Sequence, residues 1–341
     1  MTKYARTSLA YVLVALIFST GTASVRGPQP GRPVGVLDPP ASNPIAISFA
    51  TRNLQTNPAP QNARVQIIQF ESKLVGQTLP YNVLLPVDYN QPAAKSKRYP
   101  VLYLLHGLTG HYNNWIEHTR LTDYAAGYDF IIVMPEGNNG WYTDSGGVPG
   151  DKYESYIVQE LIPDVERRFR TSSEREGRAI GGLSMGGYGA LKFAVKHPEM
   201  FIFAASLSGA LGAASWIEAD LKGFPFIWRT LQPVYGAANS ETRAANDLSK
   251  LYRELPAGRI AALPYIYLDC GTEDGLLQSN RSFVDILMKQ NIPHEYRQLP
   301  GIHSWTYWDA QVQEVLRIAV KKFGKPTTTV RRAALEDRNE D

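Results

Sequence analysis

Residues 178–196 read RAIGGLSMGGYGALKFAVK and give the strongest local signal in the chain. The first five residues form a short, mostly apolar run that predicts a strand, and the last nine have helical spacing. Between them, Gly182, Ser184 and Gly186 match the pattern G-x-S-x-G. A serine at a tight strand-to-helix turn has a strained backbone, and glycines two residues away on each side avoid clashes there. The stretch therefore predicts that Ser184 is a nucleophile.

Strand-like and helix-like segments alternate on both sides of this turn. Continuous apolar runs at 101–105 and 130–134 are typical of strands that helices cover on both faces. Two alternating segments, 64–72 and 77–85, predict an antiparallel hairpin near the start of the folded part. Further strands are predicted at 201–206, 262–268 and 294–298, and further helices at 153–169, 282–288 and 310–323. This order predicts an α/β protein with a mostly parallel central sheet, helices on both faces and an N-terminal antiparallel hairpin.

Composition excludes several classes of function. The 341 residues carry a formal net charge of +3 with mixed signs, which is too weak and dispersed for nucleic-acid binding. Cys270 is the single cysteine, so the chain forms no internal disulfide. The sequence contains no H-E-x-x-H, CxxC or phosphate-binding glycine motif. We therefore expect neither a metal nor a cofactor.

The first 24 residues resemble a secretory signal. Lys3 and Arg6 supply positive charge, residues 11–18 are apolar but too short to span a bilayer, and small residues allow cleavage after Ala23 or Ser24. This predicts a secreted or periplasmic protein without stable membrane association after cleavage. An uncleaved membrane anchor is the alternative.

The remaining chain divides into a linker, a domain and a tail. Residues 25–62 are rich in proline, 63–324 form the predicted domain, and 325–341 are charged with little periodic pattern. Residues 211–259 interrupt the strand–helix alternation and contain several aromatic residues. They form either an insertion near the active site or an ordinary helical connection with buried aromatic side chains.

A nucleophilic serine needs a base, and His303 is the candidate. Where a serine nucleophile lies on such a strand-to-helix turn, the order along the chain is serine, acid, histidine. His294 and His303 both follow Ser184 at a suitable distance. His294 begins a predicted strand after a proline, where a surface role is expected. His303 lies in a glycine-started loop between the last strand and the last helix, from which it can reach the nucleophile.

Three acidic residues are candidates for the group that orients this histidine. Asp269 ends a predicted strand, whereas Asp274 lies in the loop beyond it and can bend toward His303. Asp274 is the preferred acid. Asp269 is then expected to cap backbone amides of the loop, and Glu273 to face solvent.

The oxyanion of an acyl-transfer reaction needs hydrogen-bond donors in fixed positions. One is the backbone N–H of Met185, the residue after the nucleophile, and the second comes from the loop after an earlier strand. The loop His106-Gly107-Leu108-Thr109-Gly110 follows the 101–105 strand, and its Leu108 N–H is the predicted second donor. His106 is interpreted as a structural residue that fixes this loop by hydrogen bonding.

Three aromatic residues are candidates for substrate contacts. Trp141 and Tyr142 lie in the loop after the 130–134 strand, and Trp115 follows the oxyanion loop. They form either the walls of a substrate site or ordinary loop packing.

Several blocks of the chain together resemble the esterase D group of α/β-hydrolases, over about residues 64–323. They are VLYLLHG at 101–107, the MPEG to WY segment at 134–142, GLSMGGYGA at 182–190 and GIHSW at 301–305. The resemblance implies a cofactor-free α/β-hydrolase fold with a Ser–Asp–His triad, carried onto Ser184, Asp274 and His303. It also implies an oxyanion hole formed by the amides of Leu108 and Met185.

The group includes several kinds of esterase and acyltransferase. A secreted serine esterase for short acyl, acetyl or feruloyl esters fits best, with a small-molecule or polysaccharide-linked substrate and an undetermined oligomeric state. Formylglutathione hydrolases carry a cysteine in the loop that here spans 108–112 and contains none. An acyltransferase with the same triad, a formylglutathione hydrolase-like thioesterase and an inactive binding module are the alternatives, and the intact triad argues against the last.

Overall fold

Eight of the ten strands form one sheet in the computed structural model, which describes residues 62–324. In the sheet the order is β1-β4-β6-β5-β7-β8-β9-β10. The strands from β5 onward are parallel, whereas β4 pairs antiparallel with both β1 and β6. This confirms the predicted α/β class. The strands are β1 Val65–Ile68, β2 Glu71–Ser72, β3 Gln77–Thr78, β4 Tyr81–Leu84, β5 Val101–Leu105, β6 Ile131–Pro135, β7 Arg178–Leu183, β8 Phe203–Leu207, β9 Tyr265–Gly271 and β10 His294–Leu299.

The predicted N-terminal hairpin is present, but each of its arms is divided into two strands. The outer pair, β1 and β4, extends the central sheet, and β2 and β3 form a separate two-stranded sheet. Pro80 separates β3 from β4, and a proline has no N–H to donate to a ladder. The carbonyl of Pro80 instead accepts the Glu136 N–H.

Helices connect the parallel strands. Residues 153–168 run through α3, a π-helical stretch Tyr156–Leu161 and α4, as the predicted helix at 153–169 requires. The α-helices are α1 Asn114–His118, α2 Leu121–Tyr124, α3 Tyr153–Ser155, α4 Ile162–Arg168, α5 Met185–Lys196, α6 Pro225–Tyr235, α7 Glu241–Asn246, α8 Leu248–Arg253, α9 Ala257–Ile260, α10 Leu277–Lys289 and α11 Trp305–Lys322.

Two apolar cores lie on opposite faces of the sheet. Along β5, Val101, Tyr103 and Leu105 belong to one core and Leu102 and Leu104 to the other, because successive strand residues point to opposite faces. Helix α5 packs in the first core and α11 in the second. Burial on both faces explains why β5 is a continuous apolar run rather than an alternating one.

The irregular stretch 211–259 is mainly a helical connection that contains α6 to α9. Trp216, Phe224 and Tyr235 are buried in the first core, while Phe226 is 44% exposed. The connection leaves β8 beside the predicted nucleophile, where the Ala210 N–H donates to the Ser184 carbonyl. The connection therefore contains buried aromatic side chains, as expected for an ordinary helical connection. It also begins next to the candidate site.

Some sequence-based predictions fall outside the described residues. The signal at 1–24, the linker at 25–62 except its last residue, and the tail at 325–341 belong to this group. Within residues 62–324, no helix is long and apolar enough to cross a membrane.

Candidate active site

The turn between β7 and α5 holds Ser184 in a backbone conformation that side-chain-bearing residues rarely adopt. Its φ is 52° and its ψ is −115°. A Cβ at Gly182 would lie 2.6 Å from the carbonyl carbon of Gly186, and one at Gly186 would lie 2.6 Å from the Leu105 carbonyl oxygen. Both glycines of the pattern are therefore required by direct backbone contacts.

Ser184, His303 and Asp274 form one hydrogen-bonded chain. The Ser184 Oγ lies 3.0 Å from His303 Nε2, and His303 Nδ1 lies 2.8 Å from an Asp274 carboxylate oxygen. The second carboxylate oxygen accepts the Leu276 N–H at 2.8 Å. These partners assign the His303 proton to Nδ1, which leaves Nε2 free to accept the serine proton.

The two buried aspartates near this chain have different environments. Burial acts to raise the pKa of Asp274, but the hydrogen bond and charge of His303 outweigh it and hold this pKa below its ordinary value. Burial raises the pKa of Asp269 to about 7, although hydrogen bonds from Tyr267 and Tyr307 oppose the shift. Asp274 is thus the carboxylate that is ionised at neutral pH and faces the imidazole.

The prediction that Asp269 caps backbone amides of the loop is wrong. Its two oxygens accept the Tyr267 hydroxyl at 3.0 Å and the Tyr307 hydroxyl at 3.2 Å. The sequence suggested backbone partners because a loop follows β9. The strand instead directs this side chain into the interior, where tyrosine hydroxyls meet it.

The loop that carries His303 is held against the loop that carries the acid. A Cβ at Gly271 would lie 2.1 Å from the Gly301 carbonyl oxygen, so the two backbones touch. The exposed Glu273 accepts the Gly301 N–H at 2.6 Å. Trp308 packs edge-on to the His303 ring, with centroids 4.8 Å apart. Sequence reasoning missed this tryptophan, although its position five residues after the histidine, at the start of a helix, was an available signal.

The two predicted oxyanion donors lie where the loop after β5 meets the serine turn. A Cβ at Gly107 would lie 3.4 Å from the Ser184 Cβ, so the backbone beside Leu108 is next to the nucleophile. Among residues 62–324, neither the Leu108 N–H nor the Met185 N–H has a hydrogen-bond partner. Unpaired donors beside a nucleophile are suited to an oxyanion.

His106 has the bonding of a structural residue. Its Nδ1 lies 2.8 Å from the Gly107 carbonyl oxygen, and its Nε2 accepts the Gly137 N–H at 2.9 Å. Nε2 also lies 3.2 Å from a Glu136 carboxylate oxygen. The ring therefore links the loop after β5 to the loop after β6. This geometry agrees with the interpretation of His106 as a residue that fixes the oxyanion loop.

The prediction of aromatic substrate walls is corrected by the structure. Trp115 and Tyr142 have no exposed surface, and Trp141 is 2% exposed. Each polar atom points inward: the Trp115 indole donates to the Leu105 carbonyl, and the Tyr142 hydroxyl to the His106 carbonyl. A side chain without exposed surface offers none to a substrate, so these residues pack the loops instead.

Sequence reasoning also missed Lys192, which is a buried lysine. Lys192 has no exposed surface, and its ammonium group contacts the Tyr142 carbonyl, the Thr143 hydroxyl at 2.7 Å and Glu154 at 3.0 Å. Burial lowers the pKa of Lys192 to about 8, although Glu154 opposes the shift. A single lysine between Leu191 and Phe193, inside an apolar helix, was the available signal.

Residues 62–324 contain no group of three or more His, Cys, Asp or Glu side chains arranged to hold a metal ion. The hydrogen-bonded chain of Ser184, His303 and Asp274 has the arrangement that nucleophilic catalysis by a serine requires.

Comparisons with known proteins give the following similarities. The model of the family described as "Putative esterase" matches residues 72–318. An acetyl esterase of Caldicellulosiruptor saccharolyticus is 30% identical over 251 residues, which cover 72% of this chain and 94% of that protein. An esterase of Mycobacterium tuberculosis is 33% identical over 261 residues, which cover 70% of this chain but 56% of that protein, so this chain spans about half of that relative. The solved structure of a ferulic acid esterase is 30% identical with a TM-score of 0.64, covering 76% of this chain and 98% of that one.

Replacing the two aspartates separately tests which one serves His303. We expect Asp274→Asn to slow fluorophosphonate labelling of Ser184 by roughly 10³-fold, because the amide no longer favours the required tautomer or stabilises the imidazolium. Asp269→Asn is the matched control, since an amide can still bond to both tyrosine hydroxyls. Mass spectrometry of the labelled protein measures both rates, and equal rates for the two variants would contradict the assignment.

Proposed function

The chain belongs to the Esterase family, and on this basis we propose that it hydrolyses carboxylic esters through an acyl-enzyme formed on Ser184. The observation that carries the proposal is the chain of hydrogen bonds from Ser184 through His303 to Asp274, at 3.0 and 2.8 Å. A serine hydroxyl is a weak nucleophile at neutral pH, and a histidine at this distance is the group that activates it.

In the first half-reaction, His303 Nε2 takes the proton of Ser184 as Oγ attacks the ester carbonyl carbon. The carbonyl π electrons move to oxygen, and the N–H groups of Leu108 and Met185 bind the resulting oxyanion. Asp274 stabilises the imidazolium through its hydrogen bond to Nδ1. The bond to the alkoxy oxygen then breaks, and the leaving alcohol departs with the proton from His303.

In the second half-reaction, water replaces the alcohol. His303 takes a proton from water as its oxygen attacks the acyl carbon, and the same two N–H groups bind the second oxyanion. Collapse releases the carboxylic acid and returns the proton to Ser184 Oγ. The same groups therefore act in both half-reactions, so one set of catalytic groups is sufficient for the whole reaction.

The relatives support a proposal for the substrate class. The proteins similar to this chain include an acetyl esterase and a ferulic acid esterase, each covered over nearly its full length. These two relatives support acetyl, short acyl or feruloyl esters as substrates, with a small alcohol or a polysaccharide as the alcohol part. The buried positions of Trp115 and Tyr142 remove the sequence-based argument for aromatic walls around such a substrate.

Ser184→Ala tests the nucleophile. We expect hydrolysis of p-nitrophenyl acetate to fall by roughly 10⁴-fold or more, because no covalent intermediate can form. The thermal melting temperature should stay near that of the unchanged protein, since alanine removes one oxygen from the turn. Ser173→Ala changes an exposed serine in the segment before β7, at the opposite end of that strand from Ser184, and serves as the control. Undiminished turnover by Ser184→Ala would contradict the proposal.

Product analysis separates hydrolysis from acyl transfer, because both begin with the same acyl-enzyme. A panel of p-nitrophenyl esters from acetate to decanoate, together with methyl ferulate, is assayed with and without millimolar glycerol. We expect free acid as the main product in both conditions, with the highest kcat/KM on acetate or ferulate. Acyl glycerol as the main product would instead identify a transferase.

We also infer export through the signal at residues 1–24, supported by Lys3, Arg6 and the apolar stretch at 11–18. Expression in a bacterial host with an intact export system should yield a protein that begins after Ala23 or Ser24. Mass spectrometry of the purified protein measures the mature N-terminus. Recovery of the intact N-terminus in the membrane fraction would support an uncleaved anchor instead.

A further inference from the structure

We propose that Asn139 and Tyr142 are positioning residues for the oxyanion hole, because they hold the backbone on both sides of Leu108. The inference rests on the proposed esterase function and deepens it. It assigns to the loop after β6 a role in transition-state stabilisation, although its two side chains do not touch the reacting atoms.

The contacts bracket Leu108. On one side, the Tyr142 hydroxyl donates to the His106 carbonyl oxygen at 3.0 Å. On the other side, the Thr109 N–H donates to the Asn139 side-chain oxygen at 2.8 Å. The His106–Gly107 and Leu108–Thr109 peptide groups are thus both tied to one loop. They flank the Gly107–Leu108 peptide group, whose N–H has no hydrogen-bond partner among residues 62–324.

The oxyanion loop needs such ties because its own conformation is irregular. Thr109 has a positive φ of 62°, and the Gly110 N–H makes a single turn bond to the Gly107 carbonyl. A non-glycine residue in this region is strained and persists where its surroundings hold it. The strained residue, Thr109, itself donates the hydrogen bond that Asn139 accepts.

The loop that provides the ties is itself rigidly supported. The Tyr142 ring is in close contact with backbone on two sides: a Cβ at Gly137 would lie 2.5 Å from it, and one at Gly189 would lie 2.7 Å from it. The ammonium group of Lys192 contacts the carbonyl of Tyr142. Gly189 and Lys192 both belong to α5, the helix that starts at the nucleophile. The same helix therefore sets Ser184 and, through Tyr142, the oxyanion donor.

This arrangement predicts a specific kinetic signature. The oxyanion exists in the transition state but not in the bound ester, so a displaced donor lowers kcat and leaves KM nearly unchanged. A residue that merely stabilises the fold would lower the melting temperature without this separation of kcat from KM.

The first experiment compares two buried tyrosines on the full chain. Tyr142→Phe should lower kcat for p-nitrophenyl acetate by about 10-fold, a fraction of the loss on removing a donor outright, with KM changed by less than about twofold. Affinity for a boronic acid, which mimics the tetrahedral intermediate, should fall by a similar factor. Tyr252→Phe is the matched control: this tyrosine is also fully buried and donates to a backbone carbonyl, that of Leu191, at 2.9 Å. Its kcat should stay within about twofold of the unchanged protein.

The second experiment uses Asn139→Ala, which keeps the test decisive if Tyr142→Phe folds poorly. Asn139 is exposed and is not among the residues with positive φ, so alanine fits its backbone. We expect kcat to fall by about threefold or more with KM unchanged, since one of the two ties is lost. Unchanged kcat in both loop variants would overturn the inference. So would an equal loss of kcat in Tyr252→Phe, or a rise in KM alone.

These outcomes are distinguishable from failure of the proposed function. If Ser184→Ala retains activity, the esterase mechanism itself is wrong. If Ser184→Ala is inactive and the Tyr142 and Asn139 variants keep full kcat, the mechanism stands and the positioning role is rejected.

Discussion

The strained backbone of Ser184 is the constraint on which the site depends. A residue with φ of 52° and ψ of −115° costs of the order of 1–3 kcal/mol and persists only where neighbours hold it. Here the Ser184 N–H donates to the Leu207 carbonyl, and its own carbonyl accepts the Ala210 N–H. Backbone contacts at Gly182 and Gly186 leave no room for side chains. This framework directs the hydroxyl to His303 before any substrate arrives.

Electrostatics then separates two carboxyl groups that the sequence places five residues apart. Both Asp269 and Asp274 are buried, yet the pKa of one is raised to about 7 and that of the other is lowered. The difference comes from their partners, which are tyrosine hydroxyls for Asp269 and the His303 ring for Asp274. A carboxyl that is ionised at neutral pH is the one able to stabilise an imidazolium.

The parallel sheet explains how distant segments meet. Ser184, Asp274 and His303 follow β7, β9 and β10, and the oxyanion loop follows β5. Parallel strands end at one edge of the sheet, so the loops after them gather there. The loop after β6 belongs to the same edge, and its contacts with the oxyanion loop join two sides of one site. Helix α5 links them because it begins directly after Ser184 and carries Lys192.

Much of this was predictable from the sequence, for identifiable reasons. Buried strands gave continuous apolar runs, and the turn at Ser184 required glycines at set positions. The positions of the strands along the chain, the fold class and the candidate nucleophile could therefore be predicted from local pattern. The order of serine, acid and histidine left His294 and His303 as candidate bases, and the positions of Asp274 and His303 in loops after strands made them the preferred partners. Periodicity also predicted a helix at 153–169, and the structure has helical residues at 153–168, because the apolar spacing persists through a π-helical stretch.

The sequence by itself therefore determined the fold class and the candidate catalytic groups, since both depend on residue type and spacing. Only the tertiary structure decided where loop side chains point. Trp115 and Tyr142 are aromatic residues in loops, and loops have no repeating pattern that distinguishes a buried side chain from an exposed one. Whether Tyr142 meets a substrate or the His106 carbonyl depends on the packing of two loops against α5. That packing arises from contacts between residues far apart in the chain.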